Sequence, residues 1–345
     1  MVEQELRYPK SHWENMTEGE LSNFVLDIYD HYRKTGFPYY KLTLDEQKKE
    51  LETMERYLNK NEILIFNTLK QTMHGLNVAW TYFPHAMNVK CGNMLTPLEA
   101  FEDDEKFKQV IRKRLIRGTY ITDNGLRKEL KTSTGIQAVS NFRPTSARAL
   151  YDEFAGDGTV WDMSCGFGGR LLGAISSPRV KHYIGTEPET RTHKGLLEMA
   201  RNLGNNKKIE IHNVGSEVFV PVEDTLDFCF TSPPYYDTEK YSYESTQSYV
   251  KYPEKEYWMN KILMETKSNC MIGLKAGGYL AINIANVKTY PSLTEDFICK
   301  MNEKFGGELK AVRLIKYNLS AIKKSMAHGE ENHKTEPIFV YQKNL

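Results

Sequence analysis

The run Leu226-Asp227-Phe228-Cys229-Phe230-Thr231, followed at once by Ser232-Pro233-Pro234-Tyr235, restricts the folds open to this chain more than any other segment. The apolar run reads as a buried strand. Two prolines behind it block both a continued ladder and direct entry into a helix, because each lacks an N–H and the second pushes the first away from the helical region. The strand therefore ends in a rigid, extended corner with free carbonyl oxygens, a hydroxyl before it and an aromatic ring after it. Such a corner suits a flat molecule bearing an amino group: acceptors meet the N–H bonds and the ring covers the face. Pro-Pro pairs also end strands with no further role, and the tetrapeptide alone does not choose between the two readings.

A second segment, Val160-Trp161-Asp162-Met163-Ser164-Cys165-Gly166-Phe167-Gly168-Gly169-Arg170, reads as a short buried strand, a glycine-rich turn and the start of a helix. Glycines let backbone approach a ligand closely, and the helix N-terminus behind them offers unpaired N–H groups. The signal is weak by itself, since many nucleotide-binding folds share it. The next strand, His182-Tyr183-Ile184-Gly185-Thr186, ends in Glu187, 25 residues after Asp162. An acid in that place accepts hydrogen bonds from ribose hydroxyls; a solvated strand end is the competing reading.

From about residue 145 the pattern alternates strand and helix with the spacing of an α/β sheet. The strands fall at Thr159–Met163, Tyr183–Thr186, Ile209–Asn213, Leu226–Phe230, Tyr279–Ile284, Glu308–Lys316 and Pro337–Gln342. Helices are placed at Gly169–Ser176, Thr190–Leu203, Tyr257–Leu274 and Ser292–Phe305. No helix separates the last two strands, which predicts an antiparallel final pair. Residues 1–135 differ, reading as a mainly helical domain. Thr17-x-x-Glu20 and Thr43-x-x-Glu46 are capping boxes that open amphipathic helices, and a third helix is placed at Glu62–Gly75.

Within that half, residues 106–131 carry nine basic side chains against Asp123 and Glu129, on a chain whose net charge is only +1. Arg112, Lys113, Arg114 and Arg117 sit in this block and are candidates for phosphate contact. A solvated helix face paired with the acids of 102–105 is the plainer alternative. Five scattered cysteines without CxxC spacing speak against a disulfide framework or a cysteine zinc site, and for a reduced, cytoplasmic compartment. The acidic N-terminus does not read as a signal peptide, and no apolar stretch approaches the ~20 residues needed to span a bilayer.

Together, in this order, the glycine turn, Glu187 and Thr231-Ser232-Pro233-Pro234-Tyr235 resemble the S-adenosylmethionine-dependent DNA methyltransferases of exocyclic amino groups. The resemblance covers roughly Gln137 to Leu345, so the catalytic domain is set at 136–345. It implies a seven-stranded, Rossmann-like methyltransferase sheet with S-adenosylmethionine as cofactor. Its Ser-Pro-Pro-Tyr form is most familiar from cytosine-N4 enzymes, which places cytosine N4 modestly ahead of adenine N6. Asp162, Ser164, Gly166, Phe167 and Gly168 match the turn that wraps the methionine part, and Glu187 the ribose acid. Ser216 and Glu217 fall where adenine is contacted, Arg143 and Thr145 where the methionine carboxylate is bound, and Thr231 beside the corner. A plain helix N-cap at Thr145 remains an equal alternative.

The resemblance further implies that Ser232 and the Pro233 carbonyl hold the amino hydrogens, and that Tyr235 stacks on a base flipped out of double-stranded DNA. The tyrosine-rich segment from Tyr236 to Trp258 then reads as a cover, with Tyr236 as a DNA contact. A second polar insertion, Ser320–Glu336, carries Lys323, Lys324, His328 and His333; two histidines are too few for a metal site. Carbon-5 methylation, which needs a Pro-Cys nucleophile, is disfavoured because no Pro-Cys pair occurs. RNA or protein-glutamine methylation, and transfer of another group from a related cofactor, stay open. Many members of that family, known from restriction-modification systems and phages, insert a target-recognition domain between the two motifs or append it at the C-terminus; this sequence has room for neither, so residues 1–135 are the candidate for that task.

Overall fold

A computed structural model of the protein describes residues 6–204, 207–319 and 335–345. Its contacts gather into two units. One is built from the described residues of Met1–Lys41, Pro84–Ser140 and Glu239–Tyr241; the other from those of Leu42–Phe83, Asn141–Thr238 and Ser242–Leu345. These units are interleaved along the chain, where the sequence reading placed a single cut after residue 135. Leu42–Phe83 joins the sheet-bearing unit, and a two-residue strand, Glu239–Lys240, pairs antiparallel with Lys90–Cys91 in the first.

The first unit is mainly helical. Thr17 closes its capping box with Glu20 and starts the helix Glu18–Thr35, which buries Phe24, Val25, Ile28 and Tyr32. The helices Asp104–Arg117 and Asp123–Thr132 complete the core with Phe107, Val110, Ile111, Leu115, Leu126 and Leu130. Tyr32 ties the layers polarly, its hydroxyl donating to Asp123 at 2.7 Å.

The second unit holds a nine-stranded sheet with helices. In chain order its strands are β1 (Leu64–Ile65), β2 (Thr68–Leu69), β3 (Thr159–Asp162), β4 (His182–Thr186), β5 (Lys208–His212), β6 (Leu226–Thr231), β7 (Leu274–Asn283), β8 (Leu309–Asn318) and β9 (Thr335–Lys343). They lie in the order β1-β2-β8-β9-β7-β6-β3-β4-β5. Strands β3 to β7 run parallel, and β9 is antiparallel to both neighbours, β7 and β8. The seven expected strands are all present, the last two antiparallel as expected. The sheet is wider by a hairpin where a helix was expected at 62–75.

That hairpin turns at Phe66-Asn67, with Phe66 at φ 52. Ile63, Leu64 and Ile65 favour extended backbone, and the parallel pairing of β2 with Lys316 and Tyr317 of β8 supplies ladder bonds that a lone helix lacks. The central strands are buried on both faces: Val160, Trp161, Phe228, Cys229, Phe230, Leu280, Ala281 and Ile282 are all enclosed. The helix expected over 257–274 is instead Lys255–Trp258, a π-helical turn Met259–Met264 and Glu265–Gly273. The wider turn keeps Trp258, Met259, Ile262 and Leu263 all within the core.

The helix Gly169–Ser176 lies close against Pro144–Phe154 through Gly173. A Cβ there would stand 2.6 Å from the Ala147 Cβ and 2.8 Å from the Pro144 oxygen. In an exposed helix Gly→Ala stabilises by about 1 kcal/mol. Here overpacking reverses the sign, so Gly173→Ala should lower stability by about 1–3 kcal/mol, read as a drop in the urea midpoint.

Candidate active site

Five parallel strands present their carboxyl ends on one edge of the sheet, and the strand order reverses direction at β3. Ligands of open α/β sheets bind at such a point. Asp162, Glu187, Ser232 and Asn283 stand at or just beyond the ends of β3, β4, β6 and β7.

The glycine turn leaves β3 with Gly166 at φ 54 and Gly168 at φ 72, backbone that side chains other than glycine's rarely adopt. Gly169 begins the helix under a different constraint: a Cβ would lie 1.8 Å from the Phe142 carbonyl oxygen. Asn141 donates its Nδ2 to the Phe167 carbonyl at 2.8 Å and fastens the turn from outside. The Phe167 ring faces inward against Trp80 and Phe83, so only its backbone is placed to line a ligand.

Asp162 does not reach the surface; it is 0% exposed. Arg170 Nε donates to both its carboxylate oxygens at 3.0 Å and the Tyr183 hydroxyl to one at 2.8 Å, while the Ser164 amide adds a bond at 3.2 Å. The Arg170 guanidinium also binds the Ser164 carbonyl. Asp162, foreseen as a cofactor contact, is enclosed and spends its carboxylate internally, fixing the turn through Arg170. Burial, and secondly the Asp162 carboxylate, push the Tyr183 phenol and Cys165 thiol well above their ordinary ranges, so both stay neutral.

Glu187, just beyond the end of β4, is 8% exposed. One oxygen accepts the Gly166 amide at 2.9 Å and the other the Glu189 amide at 3.0 Å. Burial pushes its pKa up to about 7 despite these two bonds, which act in the opposite direction. Each oxygen keeps a lone pair for an incoming hydroxyl.

The remaining foreseen contacts are largely committed within the protein. The Thr145 hydroxyl is enclosed and bonded to Thr72 at 2.8 Å, and the N-cap position belongs to Arg143 instead. Arg143 reaches the Tyr317 hydroxyl at 3.2 Å and the Leu319 carbonyl at 3.3 Å. Ser216 bonds Thr266 at 2.9 Å, and Glu217 pairs with Lys251 at 2.8 Å. Thr231 differs: its buried Oγ1 has no hydrogen-bond partner among the described residues.

At the corner, Pro233 is buried while Ser232, Pro234 and Tyr235 are half-buried. Ser232 Oγ lies 3.5 Å from the Tyr235 hydroxyl, which donates to Glu336 Oε2 at 3.1 Å and lies 3.3 Å from the Asn283 carbonyl. Asn283 Nδ2 in turn holds the Pro337 carbonyl at 3.1 Å. Tyr236, at φ 55, bonds the Pro253 carbonyl and packs edge-on against Trp258 and Tyr290, so its ring braces the segment behind the corner.

Arg170, Tyr183, Asn283 and Glu336 were not singled out from sequence. A lone amide closing the apolar strand Leu280-Ala281-Ile282-Asn283 was a usable signal; Glu336 had none. In the first unit, Arg112, Lys113, Arg114 and Arg117 share the helix Asp104–Arg117. Arg114 spends its guanidinium on the Tyr120 carbonyl and Arg112 reaches Ser22, whereas Lys113 and Arg117 form no ion pair among the described residues. Arg127 of the same basic block is buried against the Tyr40 ring, 3.8 Å from its centroid. Of the Ser320–Glu336 insertion, Lys323, Lys324, His328 and His333 lie outside the described residues.

No protein-family model and no curated protein matches the sequence. Solved structures similar to it include a tRNA (m1A58) methyltransferase, TrmI, from Aquifex aeolicus, with 11% identity over 60% of this chain and 71% of that one at a TM-score of 0.38. A putative rRNA methylase from Clostridium thermocellum gives 10% over 59% and 100% at 0.39. A SAM-dependent O-methyltransferase from Thermotoga maritima gives 13% over 60% and 68% at 0.39. The fold assignment stands on the strand order itself.

Because the Glu187 pKa is raised on folding, the native state binds a proton more tightly than the unfolded chain does. Its contribution to stability is full below the ordinary carboxylate value of 4.5 and is lost as pH rises towards about 7. Chemical denaturation of wild type and Glu187→Gln across this window should show the wild type's stability relative to the variant shrinking as pH rises.

Proposed function

We propose that this protein is an S-adenosylmethionine-dependent methyltransferase acting on the exocyclic amino group of a base in DNA, cytosine N4 ahead of adenine N6. One observation carries the reading: the Ser232–Tyr235 corner and the glycine turn leave adjacent parallel strands, β6 and β3, on the same edge of the sheet. The residues at that edge fit the cofactor in part. Glu187 keeps acceptor capacity for ribose hydroxyls, two left-handed glycines keep the turn low, and the unpartnered Thr231 Oγ1 lies beside the corner. Asp162 and Thr145 fit no direct contact, since both are enclosed and bonded internally. Bound there, the cofactor would supply an electrophilic methyl group on sulfur.

The chain's own part is to prepare the nitrogen. An exocyclic amine is a poor nucleophile because its lone pair is delocalised into the ring. Acceptors at Ser232 Oγ and the Pro233 carbonyl draw its hydrogens out of the ring plane, localising the lone pair. Tyr235, tethered by its hydroxyl to Glu336, offers its half-buried ring as the stacking surface. Duplex DNA must give up the base to such a site, and phosphate attraction to Lys113 and Arg117 supports that partner.

The test is methyl transfer from labelled cofactor to duplex DNA, tRNA and protein in parallel. DNA labelled on an exocyclic nitrogen is the expected product; labelling confined to tRNA or protein overturns the DNA assignment. Ser232→Ala should lower turnover on the order of 10²-fold with cofactor affinity nearly unchanged. Replacing Lys113 and Arg117 by Gln should weaken DNA binding evenly across sequences and reduce the salt slope by about 2, measured by fluorescence anisotropy.

A further inference from the structure

The proposed chemistry leaves a proton to be placed. Once the amino nitrogen has formed its new bond it carries four bonds and a positive charge that its ring cannot share. One N–H proton must leave, and a base buried in a protein pocket has little water to receive it. Ser232 cannot keep that proton, because a protonated hydroxyl is far too acidic.

A path away from Ser232 exists. Ser232 Oγ lies 3.5 Å from the Tyr235 hydroxyl, whose nearest acceptor among the described residues is Glu336 Oε2 at 3.1 Å, ahead of the Asn283 carbonyl at 3.3 Å and its Oδ1 at 3.4 Å. These spacings are long for O–H···O bonds, which often shorten only when substrate closes the site. Glu336 is brought here by the sheet: β9 runs against β7 with Asn283 opposite Ile338, and Asn283 Nδ2 clamps the Pro337 carbonyl at 3.1 Å. The Ile284 amide bonds the same carbonyl at 3.3 Å, so the backbone beside Glu336 is held twice. Glu336 is half-buried, close enough to solvent to discharge a proton after each cycle.

We propose that Glu336 is the terminal acceptor of the amino proton, reached through Ser232 and Tyr235; this rests on the amino-methyltransferase reading above. The nitrogen lone pair forms the N–C bond as the donor's S–C bond breaks, its electrons staying on sulfur. The nitrogen's proton passes to Ser232 Oγ, the Ser232 hydroxyl proton to Tyr235, and the Tyr235 proton to the Glu336 carboxylate. A sulfonium and a carboxylate become a thioether, a neutral methylamine and a carboxylic acid, so charge and protons balance. Glu336 acts through its neighbours and touches no reacting atom.

The experiment compares wild type, Glu336→Gln, Tyr235→Phe and the double variant in single-turnover transfer to duplex DNA across pH, with cofactor affinity measured alongside. The expected result is a loss of about tenfold or more in the transfer rate for either single variant and no further loss in the double. The wild-type rate should fall on the acid side, where the acceptor is already protonated, and Glu336→Gln should lose that limb while binding cofactor normally. Glu336→Ala should regain rate with added formate, a rescue that a structural role does not give. In the free protein, the 13Cζ resonance of Tyr235, assigned by its absence in Tyr235→Phe, should titrate with an acidic group in wild type and not in Glu336→Gln. Active wild type with unchanged rate and pH profile in Glu336→Gln overturns the relay and leaves the function standing; so does a Tyr235 resonance indifferent to Glu336. Wild type that methylates no nucleobase overturns the function and the relay together, whatever the resonance does.

Discussion

The pairing of Asp162 with Arg170 governs the shape of the glycine turn at the carboxyl end of β3. A fully enclosed carboxylate and a guanidinium 3.0 Å away are individually costly to bury, and each makes the other tolerable only while the surrounding bonds hold. Tyr183 and the Ser164 amide satisfy what Arg170 leaves over, and Arg170 in turn grips the Ser164 carbonyl. Strand end, turn and helix start are thereby locked as one piece. Glu187 then adds the Gly166 amide from the neighbouring strand, so β3 and β4 hold the turn from two sides. The glycine turn is rigid because polar groups beneath it are saturated.

The corner on β6 is held by different means. Its stiffness is covalent, from Pro233 and Pro234, and its orientation comes from the reversed strand β9, which delivers Glu336 and Pro337 to Tyr235 and Asn283. A reversed strand between β7 and β8 brings residues near the C-terminus to the edge where parallel strands end. The candidate site therefore combines a turn from early in the sheet-bearing unit with a clamp from the last strand of the sheet.

Much of this was legible in the sequence because it followed from local chemistry. The helices Gly169–Ser176 and Thr190–Leu203 and both threonine capping boxes follow from periodicity and caps. The reversed final strand followed from a sequence pattern that offers no convincing helix before it. What local pattern could not reveal was competition between partners. Asp162 and Thr145 look like ligand groups in sequence, yet Arg170 and Thr72 take them first. Residues 62–75 have a helical period, but the open edge of β8 offered a ladder, and the hairpin formed there. Glu336 is ordinary in its own neighbourhood and becomes interesting only through the register of β9 against β7.

The interleaving of the two units has a consequence for biogenesis. Lys90–Cys91 finds its strand partner only when Glu239–Lys240 has been synthesised, and the hairpin of β1 and β2 waits for β8, far later in the chain. These long-range pairings close only after the later segments have been made. Truncation at the apparent junction near residue 135 would strip the sheet of its outer hairpin and the helical unit of its returning strand, leaving two incomplete fragments in place of two domains.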